Sequence, residues 1–481
     1  MKTLLTLVAA LAAVGLTPGP AAAQTDFDLA AVRDLVSAHL GPTGLPGVAV
    51  AVTRGDEIVH VGGYGHTSEG EPVTAETLMP IGSVSKGFTA LAVMQLVEAG
   101  EVALDEPVVS YLPEFATADG RGADITVRQL LNHTSGLSDA VHHESAIAQP
   151  DSLAEAVKAV STVDLAADPG AEHHYHNPNY QIAARIVEVA SGQSFEDYLR
   201  ERVFAPAGMD ATLALVNETD PVEGLAEGHN RWFGLNLVRE ASDRFVSGSA
   251  GIVSTADDLA AWLLVNAGTG EPLVSPATLE AMHAPSSPEV AYGLGWDTYE
   301  VDGTPQTVHT GSTFTYTAEI RLLPESGYGF AVMSNSRQPL EAETEAIMEG
   351  LIALSQGDSY ETALPLAFIL DMVLTATALL GIGLLIRRVF KAGSWAERRA
   401  RAPRWRIGLT ALPTFALAAL LLLLPFLLSA LSARDVTWTL VWHLIPTLPA
   451  SLAILVACGI AGSVIRLRAL RVRALAGRGE A

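Results

Sequence analysis

The sequence predicts an α/β (α+β) fold: an antiparallel sheet flanked by helices, an all-α part beside it, and a three-helix transmembrane segment after it. Three observations predict this. Strand patterns lie near both ends of the first 360 residues, helical patterns fill the interval, and three long apolar runs close the chain.

Residues 26–40, DFDLAAVRDLVSAHL, carry apolar positions at helical spacing and predict an opening helix. GVAVAVTRGDEIVHVGGYG then alternates as a hairpin, with strands near 48–52 and 58–62 around a turn at Arg54 to Asp56. At the far end, strands over 316–323 and 328–334 flank PESG, and a helix is predicted over 341–354. One sheet is thus expected from distant parts of the chain. Between them, helical patterns cover 86–99, 127–131 after Thr126, and 180–191. STADDLAAWLL, residues 254–264, places hydroxyls ahead of Asp257 and Asp258, an order that caps a helix and suits its positive end. Pro276 is placed to start another. The loops between these elements join parts of one domain, expected over residues 24–358.

Residues 1–23 combine Lys2, an apolar run, helix-breaking Pro18, Gly19 and Pro20, and small residues at Ala21 to Ala23. That order predicts a secretory signal cleaved after Ala23. The region 359–481 is expected to be a membrane domain with spans at about 364–386, 407–431 and 438–465, each long enough for a hydrocarbon layer of about 30 Å. The connector 387–406 and the end 466–478 are densely basic, whereas only Arg434 and Asp435 charge the connector between the second and third runs. By the preference of Lys and Arg for the cytoplasm, the C-terminus is expected inside and the large domain outside. Asp371, within the first run, is expected to serve structure rather than a proton path, although an intramembrane carboxylate also prompts a transporter or sensor reading.

Charge and cysteine usage narrow the function. From Gln24 to Tyr360 there are 14 Lys plus Arg against 48 Asp plus Glu, a net charge of -34. Such a surface repels nucleic acid, which is excluded as a partner. The one cysteine, Cys458, lies in the last apolar run, so neither an intrachain disulfide nor a thiol nucleophile serves the large domain.

Lysine is scarce: only Lys86 and Lys158 lie between the signal and the tail. Lys86 stands three residues after Ser83 in MPIGSVSKGFTA. If a helix begins at or just after Ser83, the two side chains share a face. A desolvated lysine can accept a proton, as arginine cannot, and a helix N-terminus favours a developing oxyanion. Alone this pair is a weak signal, since a capping serine beside a solvated lysine looks the same. Two further polar clusters give it weight: HHYHNPNY at 173–180, with Tyr175 and Asn177 in a YxN arrangement, and TVHTGST at 307–313.

GSVSKGFTA, ITVRQLLNHTSGL at 125–137, YHNPNY at 175–180, SGSAGIVSTADDLAAWL at 247–263, YGLGW at 292–296 and HTG at 309–311 occur in this order. Together they resemble the serine β-lactamase and penicillin-binding protein superfamily, particularly its class C β-lactamase and D,D-peptidase-related branch, over about residues 35 to 355. The resemblance implies an acyl-serine mechanism at a site between an all-α and an α/β part. It implies Ser83 as nucleophile, Lys86 as its activator, Tyr175 as proton relay, and Asn177 as a residue that binds substrate and orients Lys86. His309, Thr310 and Gly311 stand where the family has Lys-Thr-Gly, and the backbone N–H groups of Ser83 and Ser312 would form the oxyanion hole. With His309 in place of lysine, positive charge there is expected to depend on pH. The following GSTFTYTAEI is also bulkier than the turn of relatives with an HxG motif.

The expected function is therefore a membrane-tethered extracytoplasmic serine hydrolase. Its substrate is a small molecule or peptide with a scissile ester, amide or peptide bond, cell-wall D-amino-acid peptides and β-lactams included. The alternative is an inactive binding module for peptide or peptidoglycan. The lipid bilayer is the other expected partner. No cofactor is implied. His142, His143 and Glu144, and His173, His174 and His176, invite a zinc reading, but no spacing fixes a tetrahedral site; they are expected to be ordinary loop or surface residues, and His133 to support a turn.

Overall fold

Alternation along the strand Gly47–Arg54 separates two cores in the computed structural model, which describes residues 27–142, 144, 148–301, 303–337, 342–360, 364–432 and 436–479. Val48, Val50 and Val52 face one side of the sheet, and Ala49 and Ala51 face the other. The expected signal segment, His143, Arg434 and Asp435 lie outside the described residues.

The sheet has six antiparallel strands. In spatial order they are Glu57–Gly65, Gly47–Arg54, Tyr328–Ser334, Thr317–Leu323, Thr304–Ser312 and Asp297–Val301. Val50 pairs with Val332, and Ala318 with Gly311, so the two chain ends meet in the middle of the sheet. The opening helix Leu29–Thr43 and the helix Ala342–Gln356 cover the valine face, where Val32, Leu35, Val36, Ile347, Met348 and Leu351 are buried. The helix Ala256–Asn266 covers the alanine face, bringing Leu259, Trp262 and Leu263 against it. Each fully buried aliphatic side chain contributes about 1.5 to 3 kcal/mol, so both faces stabilise the sheet substantially.

Beyond that face lies the all-α part, built around Ser85–Glu98, Val127–Leu131, Leu153–Ala159 and Asn177–Ser191. Phe88 stacks on Trp262 with ring centroids 3.6 Å apart, joining the two parts. Polar N-caps set several boundaries: Thr126 and Gln129 form a capping box, and Thr255 accepts from the Asp258 N–H. The predicted elements are all present, with ends shifted by a few residues.

After this domain, three helices among the described residues are long and apolar enough to cross a membrane: Leu366–Phe390, Trp405–Leu431 and Thr447–Ala476. A short helix, Trp438–Leu444, precedes the third.

Candidate active site

Ser83 sits in a short 3-10 turn, Gly82–Val84, that runs directly into the helix Ser85–Glu98. This places Lys86 in the first turn of the helix, where its side chain is completely buried. Its Nζ donates to Ser83 Oγ at 3.1 Å, to Asn177 Oδ1 at 2.8 Å and to the Ser249 carbonyl at 2.8 Å. A buried amine demands such partners. The carbonyl comes from the SGSAG turn, where Gly248 adopts φ +76° and packs so closely on the Tyr180–Ala184 stretch that a side chain would clash.

Asn177 opens the helix Asn177–Ser191, with Pro178 in its first turn. While Oδ1 accepts from Lys86, Nδ2 donates to Glu144 Oε2 at 2.9 Å. Glu144 thereby fixes which end of the amide faces the lysine. The Tyr175 ring centroid is 4.9 Å from Lys86 Nζ, so the phenol stands on the same cluster.

The strand Thr304–Ser312 forms the opposite wall. A Cβ built on Gly82, which has φ +53°, would lie 2.5 Å from Ser312 N. One built on Gly311 would overlap the Ile81 carbonyl oxygen and lie 3.0 Å from Ser83 N. Both glycines are required by this approach of two backbones. The Ser83 turn and the Ser312 segment, separated by more than 200 residues in sequence, are therefore in direct contact. Thr310 is exposed beside them, while Ser83 and Ser312 are half-buried.

His309 is buried, and its environment differs from expectation. Burial, reinforced by the Lys86 charge, lowers its pKa to about 3, so the ring is neutral at ordinary pH. Nδ1 donates to the Thr310 carbonyl at 2.7 Å, leaving Nε2 to accept from the Tyr292 hydroxyl at 2.8 Å. The expected pH-dependent cation is thus corrected to a neutral, anchored imidazole.

Two of the other histidines correct the loop or surface reading, because His142 and His176 are buried. His176 lies 2.8 Å from Asp139 Oδ1 through Nδ1. His133, at φ 59°, accepts the His176 N–H through Nδ1 at 3.2 Å and packs 4.4 Å from the Tyr175 ring. It supports the turn as expected, and it also backs the phenol. Among the described residues, no group of three or more His, Cys, Asp or Glu side chains is placed to hold a metal ion.

Sequence reasoning did not assign roles to Glu144, Tyr292 or the Ser249 carbonyl. Tyr292 and Ser249 lie within quoted motifs, YGLGW and SGSAG; Glu144 entered only beside His142 and His143 in the zinc reading, and nothing local pairs it with Asn177.

Residues 32–354 match the family model described as Beta-lactamase. Penicillin-binding protein 4 of Amycolatopsis lactamdurans is 32% identical over 310 residues, covering 60% of this chain and 81% of that protein. The D-aminopeptidase of Brucella ovis is 34% identical over 293 residues, covering 56% of this chain; the match spans only about half of that relative, 52%. Among solved structures, the octameric penicillin-binding protein homologue from Pyrococcus abyssi superimposes with a TM-score of 0.60 at 26% identity, covering 71% of this chain and 80% of that one. The D-amino acid amidase from Ochrobactrum anthropi SV3 shares the fold, with a TM-score of 0.59 at 24% identity over 68% of this chain and 98% of its own.

Proposed function

The chain belongs to the β-lactamase family, and on that premise we propose that it is a membrane-tethered, extracytoplasmic hydrolase acting through an acyl-Ser83 intermediate. The observation that carries the reading is the buried Lys86 amine within hydrogen-bond reach of Ser83 Oγ, braced by Asn177.

In this mechanism Ser83 Oγ attacks the substrate carbonyl as its proton passes to the neutral Lys86 amine, directly or through the Tyr175 hydroxyl, which accepts from Ser83 while it donates to Lys86. The N–H groups of Ser83 and Ser312 stabilise the oxyanion, each worth about 3 to 4 kcal/mol in the transition state. Tyr175 returns the proton to the departing alcohol or amine. Water then cleaves the acyl-serine ester, regenerating Ser83 and releasing the acid. Asn177 holds Lys86 and presents its amide to substrate.

For the substrate, the neutral His309 supplies no cation for a free carboxylate. That supports an uncharged ester or amide, D-amino-acid amides included, over substrates recognised through a free carboxylate, which β-lactams and C-terminal D-Ala-D-Ala peptides both carry. The relative named as a D-aminopeptidase supports the D-amino-acid class, and the one named as a penicillin-binding protein keeps β-lactams among the substrates to assay.

The orientation is supported by the placement of the basic segments. Arg473 pairs with Glu397 at 2.9 Å and Arg466 lies over the Trp395 ring, so both basic regions gather at one end of the helices. The large domain touches the other end, at Asp371 and Thr447. The basic end is placed in the cytoplasm.

The reading is tested by assaying detergent-solubilised full chain against a p-nitrophenyl ester, a D-alanine anilide, a D-Ala-D-Ala peptide and a chromogenic cephalosporin. Hydrolysis of the ester or the D-alanine anilide, absent from folded Ser83→Ala, is expected. Equal hydrolysis by that variant would contradict the mechanism.

A further inference from the structure

Seven large apolar side chains of the large domain are exposed among its described residues, and three of them, Leu235, Leu237 and Val238, lie in one four-residue strand. That strand pairs with His229–Trp232 to form a hairpin. We propose that this hairpin is seated in the interfacial zone of the bilayer, with Leu235, Leu237 and Val238 against lipid.

The hairpin is already fixed to the membrane helices. Its two-residue turn, Phe233-Gly234, has φ of 50° and 78°, as a primed hairpin turn requires. The Phe233 N–H donates to Thr447 Oγ1 at 3.0 Å, and the Gly234 N–H donates to Asp371 Oδ2 at 2.6 Å. Thr447 begins the third span, and Asp371 lies five residues into the first, about 7 Å along its axis. A side chain at Gly234 would collide with Met372, so glycine permits this contact. In a zone poor in water every backbone N–H needs an internal partner, and these two have one each. The same contact gives the buried carboxylate of Asp371 a structural partner.

Depth follows from the flanks. Trp232 stacks with Trp442 at 5.8 Å, and the Arg239 guanidinium lies 5.7 Å from the Trp232 ring. Tryptophan pairs and arginine belong at the headgroup level. Leu235–Val238 is also the edge of its small sheet. Its outward backbone groups need water, which excludes the hydrocarbon centre and leaves the boundary between headgroups and chains. The turn that carries these exposed side chains is bonded to the first and third spans, so lipid is the occupant.

The test uses full chain in phosphatidylcholine vesicles, carrying Cys458→Ser and an environment-sensitive fluorophore on Leu235→Cys or, as a second position, Val238→Cys. Ile58→Cys is the aqueous control: it is exposed in the six-stranded sheet and pairs with Thr53, at the end away from Gly44, where Asn236 of the hairpin is bonded. Blue-shifted emission is expected at 235 and 238, with stronger quenching by lipids spin-labelled near the headgroup than near the chain end. The control should be quenched by iodide alone. Iodide quenching at 235 and 238 equal to that at 58 would overturn the proposal. So would protection from iodide without quenching by lipid, which would indicate a protein partner. The readout does not involve hydrolysis, so it stands or falls apart from the mechanism at Ser83.

Discussion

Lys86 is the residue on which the chemistry turns. Its burial against Ser83 Oγ, Asn177 Oδ1 and the Ser249 carbonyl requires a slender amine; a guanidinium is larger and does not release its proton. Lys86→Arg is expected to lower kcat by about 10²- to 10⁴-fold, the usual contribution of a positioned base, in steady-state assays of an identified substrate. A kcat within twofold of wild type would remove Lys86 from that role. Buried histidines give a second residue-scale prediction. Desolvation lowers the pKa of His133, of His283 to about 4 and of His309 to about 3. An unfolded chain protonates these rings near the ordinary value of about 6.5, while the folded chain resists. Their stabilisation is therefore complete above that value and lost as pH falls toward the folded values, by up to about 1.4 kcal/mol per pH unit for each ring. Urea midpoints should fall steadily from pH 7 to pH 5, and a flat profile would count against this burial. The Ser83–Lys86 pair was legible from spacing, but His309's neutrality was not. It depends on burial and on the nearby Lys86 charge, which sequence neighbours do not reveal.

At the scale of elements, the nucleophile turn and the strand Thr304–Ser312 work only because two backbones touch. Gly311→Ala would push a methyl group into the Ile81 carbonyl and displace the Ser312 N–H. A loss of about 10² to 10³ in kcat is expected, with circular dichroism retained, since one misplaced oxyanion donor costs that much. Unchanged kcat would show that Ser312 does not serve the oxyanion. The strands and helices themselves were legible because their local signals agree with the fold: valine-alanine alternation in Gly47–Arg54, and Thr126 and Thr255 as caps. Less legible was the loop 313–316. Its bulk is explained by long-range packing, with Phe314 against His443 at 3.9 Å and the Tyr316 hydroxyl donating to the Ala226 carbonyl. The role of Glu144 was hidden for the same reason, since its partner Asn177 lies 33 residues away.

Across the whole molecule, charge separates the acidic domain from the basic end of the membrane helices. A net charge of -34 over residues 24–360 opposes compaction at low ionic strength. Raising salt from about 0.01 M to about 0.15 M shortens the screening length from about 30 Å to about 8 Å. The thermal midpoint of the large domain should rise over that range, and a fall would mean that attractive surface pairs dominate instead. The membrane tail was legible from apolar length alone, whereas Asp371's partner was not, because the Gly234 N–H comes from 137 residues earlier. The central claim, an acyl-serine hydrolase at Ser83, is tested most directly by intact-protein and peptide mass spectrometry of full chain treated with an acylating β-lactam or ester probe. The account predicts one added acyl mass on the peptide containing Ser83 and none in Ser83→Ala. An adduct at another residue, or the same adduct in Ser83→Ala, would contradict it.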